Sequence, residues 1–123
     1  AEECPETAPD GRPLRDPVVA YPHSGSEPSG IAVVGGHVYR GDAIPGLRGR
    51  YVFGDWQAGG SLFVATPGEG ESWPVTVIDA EPASKLSNLL ALGQDRSGEV
   101  YALTSQRGGV SGETGALHRL VAA

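Results

Sequence analysis

Short runs of branched and aromatic residues alternate with glycine- and proline-rich turns along most of this chain. The central stretch holds three such runs, Ile31–Tyr39, Arg50–Trp56 and Ser61–Ala65. Each run has the length of a strand and is too short for a helix, and its branched and aromatic residues favour β structure. Because the loops between the runs are rich in the turn-forming residues Gly and Pro, the pattern predicts an antiparallel meander.

The pattern predicts a fourth strand and then starts again. Val75–Ile78 follows a polar turn, and four consecutive strands with short loops have the size of one propeller blade. A second unit contains three further predicted strands, at Leu89–Leu92, Val100–Thr104 and Ala116–Val121. This unit lacks a fourth strand, which favours a chain that is part of a larger ring.

The beginning of the chain differs from the rest. Residues 1–16 are acidic and rich in proline, with little apolar content, and we expect them to form a surface leader without a packed element. Residues 17–123 are the predicted propeller part. Its first run, Val18–Tyr21, lies between two prolines, which is typical of an edge strand. The leader holds the single cysteine, Cys4, which is either an inert thiol or the partner of a cysteine elsewhere, in an oxidising compartment.

Composition excludes several classes of protein. At 123 residues the chain has room for one core. Nine basic against 15 acidic residues give a net charge of −6, which opposes binding to a nucleic-acid backbone. No apolar run approaches the roughly 20 residues that a membrane span needs. We therefore expect neither a nucleic-acid partner nor a membrane span.

Three glycine- and aromatic-rich motifs resemble a known family. They are Gly35–Gly41, Ile44–Trp56 and Gly93–Tyr101, and in this order they resemble the last part of the glucose/sorbosone dehydrogenase family. That family includes soluble quinoprotein sugar dehydrogenases and the propeller of hedgehog-interacting protein. The resemblance covers residues 16–121 and implies an all-β fold of antiparallel four-stranded meanders, the last one to two blades of a six-bladed β-propeller. In such proteins the N-terminal end of the same polypeptide supplies the closing strand, which this chain lacks.

The resemblance also implies a location and a chemistry. The leader with Cys4 is similar to a family insertion whose cysteine pairs with an earlier one, which implies an exported protein, extracellular or periplasmic. Catalytic members oxidise the anomeric hydroxyl of an aldose and pass a hydride to pyrroloquinoline quinone (PQQ), with a histidine base and calcium at the cofactor. By resemblance those groups come from earlier blades, so no catalytic or metal residue is assigned here.

Two residues are candidates for contact with the quinone. By resemblance, late blades supply cations to the quinone carboxylates at positions that correspond here to Gln57 and to Leu86–Ser87, with Lys85 adjacent. Gln57 can donate a hydrogen bond but not a charge-assisted one, so it reads either as a weak cofactor contact or as an exposed loop residue. PQQ and calcium are therefore expected only in a full-length parent protein.

Other candidate residues favour structural roles. Arg40 and Asp55 lie on neighbouring predicted strands, where we expect them to form an ion pair. Trp56 and Trp73 are predicted to pack between blades and not to serve as sugar platforms.

Metal and phosphate motifs are weak in this sequence. The three histidines, His23, His37 and His118, lack the spacing of a metal site. Asp95–Glu99 is typical of a turn and lacks the carboxylates of a calcium loop. Gly109–Gly115 precedes a predicted strand and not a helix, which argues against a phosphate loop.

These observations lead to one main hypothesis and two alternatives. The main hypothesis is the C-terminal part of an exported, PQQ-dependent aldose dehydrogenase whose site is completed outside this segment, which would be inactive alone. The first alternative is a non-catalytic propeller that binds a partner. The second is a structural subunit that docks through exposed blade edges. The partner would be the remaining blades or another protein chain, and the sugar and the electron acceptor stay open.

Overall fold

The computed structural model describes residues 4–57, 59–82, 86–108 and 111–123. These residues form seven strands and one 3₁₀ turn: β1 (Val33–Val38), the turn Pro45–Leu47, β2 (Tyr51–Asp55), β3 (Ser61–Ala65), β4 (Val75–Asp79), β5 (Leu89–Gln94), β6 (Val100–Ser105) and β7 (Gly115–Arg119). The predicted all-β fold is confirmed. Within the described ranges, no helix has the length and apolar content needed to cross a membrane.

The first four strands form one antiparallel meander. Their order in the sheet is β1-β2-β3-β4, as the sequence predicts. The pairing of β1 with β2 is interrupted between Val34 and His37. This irregularity contains Gly36, where a Cβ atom would collide with the carbonyl oxygen of Val52 and lie 2.9 Å from Leu92. The close approach of two backbones therefore requires glycine at this position.

The last three strands form a second antiparallel sheet in the order β5-β6-β7. A tight turn joins β5 to β6, and Gly98 in this turn has φ +84°, as its predicted role requires. The N–H of Gly98 donates to the carbonyl of Asp95 at 3.0 Å. Antiparallel sheets of this kind are consistent with propeller blades.

The main core lies between the two sheets. Its buried residues are Tyr39, Leu47, Val52, Leu62, Val64, Leu86, Leu89, Leu92, Val100 and Ala102. The two sheets approach closely at Gly54, where a Cβ atom would collide with the side chain of Leu89. The ring nitrogen Nε2 of His37 also lies 3.2 Å from the carbonyl oxygen of Leu92 and joins β1 to β5. The sheets are therefore stacked face to face.

A second cluster covers the opposite face of the first sheet. Phe53 and Phe63 pack edge to face at 5.4 Å, and the ring of Tyr21 packs against Phe63 at the same distance. Trp73 packs against this cluster too. The aromatic groups therefore anchor the segment that precedes β1 onto the sheet.

That segment corrects one prediction. Residues 18–21 do not form a strand. Their carbonyl at Val18 accepts one hydrogen bond, from the N–H of Trp73 at 2.7 Å. Pro17 and Pro22 have no N–H to donate. The segment is therefore held on the sheet by side-chain packing and not by a ladder of backbone hydrogen bonds.

The leader forms an exposed loop closed by backbone hydrogen bonds. The N–H of Leu14 donates to the carbonyl of Glu6, and the N–H of Ala8 donates to that of Arg12, both at 2.8 Å. Cys4 is exposed beside this loop. Its predicted disulfide and the division of the chain at residue 16 stay predictions.

Candidate functional site

The loops lie at two opposite ends of the stacked sheets. We call one the Gln57 end; it comprises residues 23–32, 56–57, 59–60, 86–88 and 106–108. We call the other the Arg50 end; it comprises residues 39–50, 66–74 and 95–99. The assignment follows from strand register, because Val33 pairs with Asp55 at one end of β1 and Val38 pairs with Tyr51 at the other.

The Gln57 end contains the residues predicted to contact a quinone. Gln57 is exposed, and its N–H donates to Asp55 Oδ1 at 3.1 Å. The N–H of Leu89 donates to the carbonyl of Trp56 at 3.3 Å, which brings the start of the second sheet beside Gln57. Ser87 is half-buried, with Oγ 3.4 Å from the carbonyl of Ser105. Lys85 lies outside the described residues.

The described candidate fits a quinone carboxylate poorly, because Gln57 is neutral and can donate only an uncharged hydrogen bond. Arg107, in the loop 106–108 of the same end, is an exposed cation. Contacts of Gln57 and Lys85 with PQQ stay a prediction. Among the described residues, no group of three His, Cys, Asp or Glu side chains is placed to hold a metal ion.

Asp55 is fully buried and accepts four hydrogen bonds from described residues. Oδ2 accepts from the Tyr21 hydroxyl at 2.8 Å and the Ala32 N–H at 3.0 Å. Oδ1 accepts from the N–H groups of Ile31 and Gln57, both at 3.1 Å. The predicted pair with Arg40 is wrong, because every one of these donors is uncharged and Arg40 is exposed at the opposite end.

The environment of Asp55 favours its charged form. Burial alone would raise the pKa of Asp55, but the hydrogen bonds from Gln57, Ile31, Tyr21 and Ala32 outweigh it and hold the pKa below its usual value. Burial and the adjacent carboxylate raise the pKa of Tyr21. The pair is therefore a carboxylate and a neutral phenol at neutral pH, so the phenol donates.

Glu99 forms a similar cluster at the Arg50 end and joins the two sheets. It is 5% exposed at the start of the second sheet's central strand. Oε2 accepts from the Tyr39 hydroxyl at 2.6 Å, and Oε1 accepts from the N–H groups of Asp42 and Ala43, both at 3.0 Å. The hydrogen bond from Tyr39 is the main cause that lowers the pKa of Glu99. Arg119 lies 3.6 Å from Oε1.

The two clusters share one construction. In each, a buried carboxylate accepts from one tyrosine hydroxyl and from two consecutive backbone N–H groups that follow a glycine. The glycine is Gly30 beside Asp55 and Gly41 beside Glu99, and a Cβ atom at either position would collide with the carboxylate. Sequence reasoning missed both clusters, although the Gly-X-Ala triplets at 30–32 and 41–43 are visible in the chain.

Both tryptophans are half-buried. The ring of Trp56 lies against Gly108, where a Cβ atom would be 3.1 Å away, so Trp56 bridges the two sheets as predicted. Trp73 packs on the outer face of the first sheet instead.

Two other candidate residues have structural contacts. His118 Nε2 lies 3.0 Å from Thr104 Oγ1 within the second sheet. Asp95 accepts from the N–H groups of Ser97 and Glu99 and caps its own turn, as expected for a plain turn.

The outer faces of the two-sheet stack expose large apolar side chains. On the first sheet, Ile31 and Val33 are 48% and 66% exposed beside a groove that runs along residues 17–21. On the second sheet, Leu103 pairs with Leu117, and their side chains are 41% and 64% exposed. The outer face of the second sheet is therefore apolar and open, whereas that of the first sheet is covered by residues 17–21 and Trp73 except at Ile31 and Val33.

The chain is similar to two curated proteins. It is 30% identical to HIPL1 protein of Arabidopsis thaliana over 107 residues, which cover 72% of this chain and 15% of the relative. It is 32% identical to Hedgehog-interacting protein of Mus musculus over 94 residues, which cover 72% of this chain and 13% of the relative. The chain thus spans less than a sixth of each relative. No protein-family profile matches it.

Proposed function

We propose that this chain is part of an exported β-propeller that binds a protein partner and has no catalytic role. The observation that carries the propeller part of the proposal is the exposed apolar surface on the outer side of each sheet. Leu117 and Val33 lie on opposite outer faces and are each more than 60% exposed. Exposed apolar patches of this kind mark surfaces that another protein element covers. Further blades of the same protein, or another chain, would stack on them as the two sheets stack on each other.

Similarity supports a binding role. The mouse relative is named for its interaction with Hedgehog, which is a protein ligand. The chain matches 13% of that relative, so it would contribute part of such a propeller. The same similarity supports a location outside the cytoplasm. The finer hypothesis, PQQ-dependent oxidation of an aldose with calcium at the cofactor, has no support from Gln57, which is neutral.

A binding assay and an activity assay separate these two functions. The protein in its full natural length is immobilised, and Hedgehog is tested by biolayer interferometry beside an unrelated secreted protein. We expect selective binding of Hedgehog with a Kd of about 1 μM or tighter. In parallel, PQQ, calcium and a panel of aldoses are added with a dye that accepts electrons. PQQ-dependent dye reduction without Hedgehog binding would replace the binding proposal with the enzyme.

A matched pair of substitutions tests whether neighbouring blades cover the outer face of the second sheet. Leu117→Ser removes an apolar side chain from an open outer face, and Leu14→Ser removes one from the leader, where Leu14 is 55% exposed. In the full-length protein we expect Leu117→Ser to reduce the free energy of unfolding by roughly 2–3 kcal/mol, because neighbouring blades bury it. Leu14→Ser should change it by less than about 0.5 kcal/mol. Equal, negligible effects would show that the face is open in the whole protein.

A further inference from the structure

Arginines gather at the Arg50 end of an otherwise acidic chain. The net charge is −6, yet this end carries four exposed arginines, Arg40, Arg48, Arg50 and Arg96. They come from two loops that touch. The N–H of Tyr39 donates to the carbonyl of Arg50 at 2.8 Å, and the N–H of Arg40 donates to that of Gly98 at 3.3 Å. The backbone therefore holds Arg40 and Arg50 side by side, with the turn of Arg96 next to them.

Three of these arginines have no carboxylate partner in the described part of the chain. Arg48 pairs with Asp42 at 3.2 Å, whereas no described carboxylate lies within 4.0 Å of Arg40, Arg50 or Arg96. Glu69 and Glu71 lie in the loop 66–74 at the same end but form no ion pair with these arginines, and the acids of the turn 95–99 are already hydrogen-bonded. Asp95 accepts hydrogen bonds from its own turn and from Tyr101, and Glu99 is buried in its cluster. This end therefore presents three exposed guanidinium groups without a carboxylate partner among the described residues.

The backbone beneath this surface is fixed. Glu99 binds the N–H groups of Asp42 and Ala43, which ties the loop of the first sheet to the second sheet. Gly98 packs so closely against Arg40 that a Cβ atom would lie 2.7 Å from the Arg40 backbone. A preformed loop pays little ordering cost when a ligand binds. Exposed Pro45 adds an apolar contact in the same loop.

We infer that the Arg50 end binds an acidic segment of a protein partner. Guanidinium groups match carboxylates through paired hydrogen bonds, and they tolerate partial desolvation better than lysine does. A densely charged polymer such as a sulfated glycan would also meet Asp42 and the acidic body of the chain, whereas a peptide can place separate carboxylates and still contact Pro45. The inference rests on the proposed function only in taking the partner to be a protein.

Fluorescence anisotropy tests the inference with a labelled peptide in which glutamate alternates with alanine, and with the corresponding glutamine peptide as the neutral control. The full-length protein at about 50 mM salt should bind the first peptide and not the second, and added salt should weaken binding through screening. The double variant Arg50→Gln/Arg96→Gln should raise the Kd by roughly 10-fold, about threefold for each exposed charge pair removed. Arg15→Gln removes an exposed arginine from the leader and should leave the Kd unchanged.

Three results would overturn the inference. They are no binding of the glutamate peptide, an unchanged Kd in the double variant, and tighter binding of a sulfated oligosaccharide of equal charge, which would reassign the surface to glycans. The Hedgehog assay distinguishes this failure from that of the proposed function. Intact Hedgehog binding without peptide binding refutes the acidic-segment inference alone, and peptide binding without any protein ligand refutes the proposed function alone.

Discussion

Replacing Asp55 with Asn tests whether the buried carboxylate holds the segment before β1. The substitution keeps the size of the side chain but converts one acceptor oxygen into an NH₂ group. Each oxygen of Asp55 now accepts two hydrogen bonds: Oδ1 from Ile31 and Gln57, and Oδ2 from Tyr21 and Ala32. Whichever side the NH₂ takes, it faces a backbone N–H that can only donate, so two of the four hydrogen bonds are lost or reversed.

The expected cost follows from these contacts. A hydrogen bond to a charged group contributes roughly 1.5–3 kcal/mol, so the loss of two predicts a decrease of roughly 3–6 kcal/mol in the free energy of unfolding. That decrease is a large part of the roughly 5–15 kcal/mol that holds a typical domain together. Since Asp55 is fully buried, water cannot replace the missing partners.

Urea unfolding followed by tryptophan fluorescence measures this difference, and Asp79→Asn is the matched control. Asp79 is an exposed aspartate at the end of β4 that accepts one hydrogen bond, from Ser61 Oγ at 2.6 Å. Its substitution should change the free energy of unfolding by less than about 0.5–1 kcal/mol. A value for Asp55→Asn as small as that of the control would show that the four contacts do not stabilise the fold.

The pH dependence gives a second test of the same reasoning. The folded state lowers the pKa of Asp55, so its stabilisation is complete above the unfolded value of about 4 and is lost as the pH falls through the folded value. The difference between wild type and Asp55→Asn should therefore be constant between about pH 5 and 8 and shrink below about pH 4. A difference that grows in acid would refute the assigned charge.

Three further substitutions probe the other contacts. Tyr39→Phe removes the hydroxyl that donates to Glu99 and accepts from the Ile44 N–H, and should lower the melting temperature by roughly 5–10 °C in calorimetry; an unchanged value would mean that the hydroxyl contributes nothing. Gly36→Ala should destabilise by more than about 1–3 kcal/mol in urea, because its Cβ meets backbone, whereas Gly46→Ala, with open space around it, should not; equal effects would contradict the close approach at β1. Thr104→Val leaves His118 Nε2 without its partner and should cost roughly 1–2 kcal/mol by the same assay, and no loss would show that the histidine finds another partner.

The strands were predictable from the sequence because their signals are local. The runs Ser61–Ala65 and Val75–Ile78 are apolar stretches between turn residues, and both lie in strands of the structure. The role of Gly98 was equally visible, since a tight turn needs a positive φ at a defined position. Residues 18–21 misled the same reasoning, because β-forming residues between prolines do not reveal whether a neighbouring strand will pair with them.

The carboxylate clusters were beyond local reasoning. Asp42 and Glu99 are 57 positions apart, and Ile31 and Asp55 are 24 apart, so only the packed sheets bring them together. Arg40 and Asp55 seemed natural partners by charge, but the fold places them at opposite ends. A buried carboxylate surrounded by backbone N–H groups needs no cation, and composition cannot distinguish that solution from an ion pair.

The glycine beside each buried carboxylate makes the identities of two distant positions depend on each other. An alanine at Gly41 would collide with the carboxylate of Glu99, and the same holds for Gly30 and Asp55. Neither partner can change alone, because a larger residue at the glycine would displace the carboxylate, and loss of the carboxylate would leave two backbone N–H groups without an acceptor. Across related chains, each glycine and its acid should therefore be retained or replaced together, and a sequence alignment would reveal them as covarying pairs.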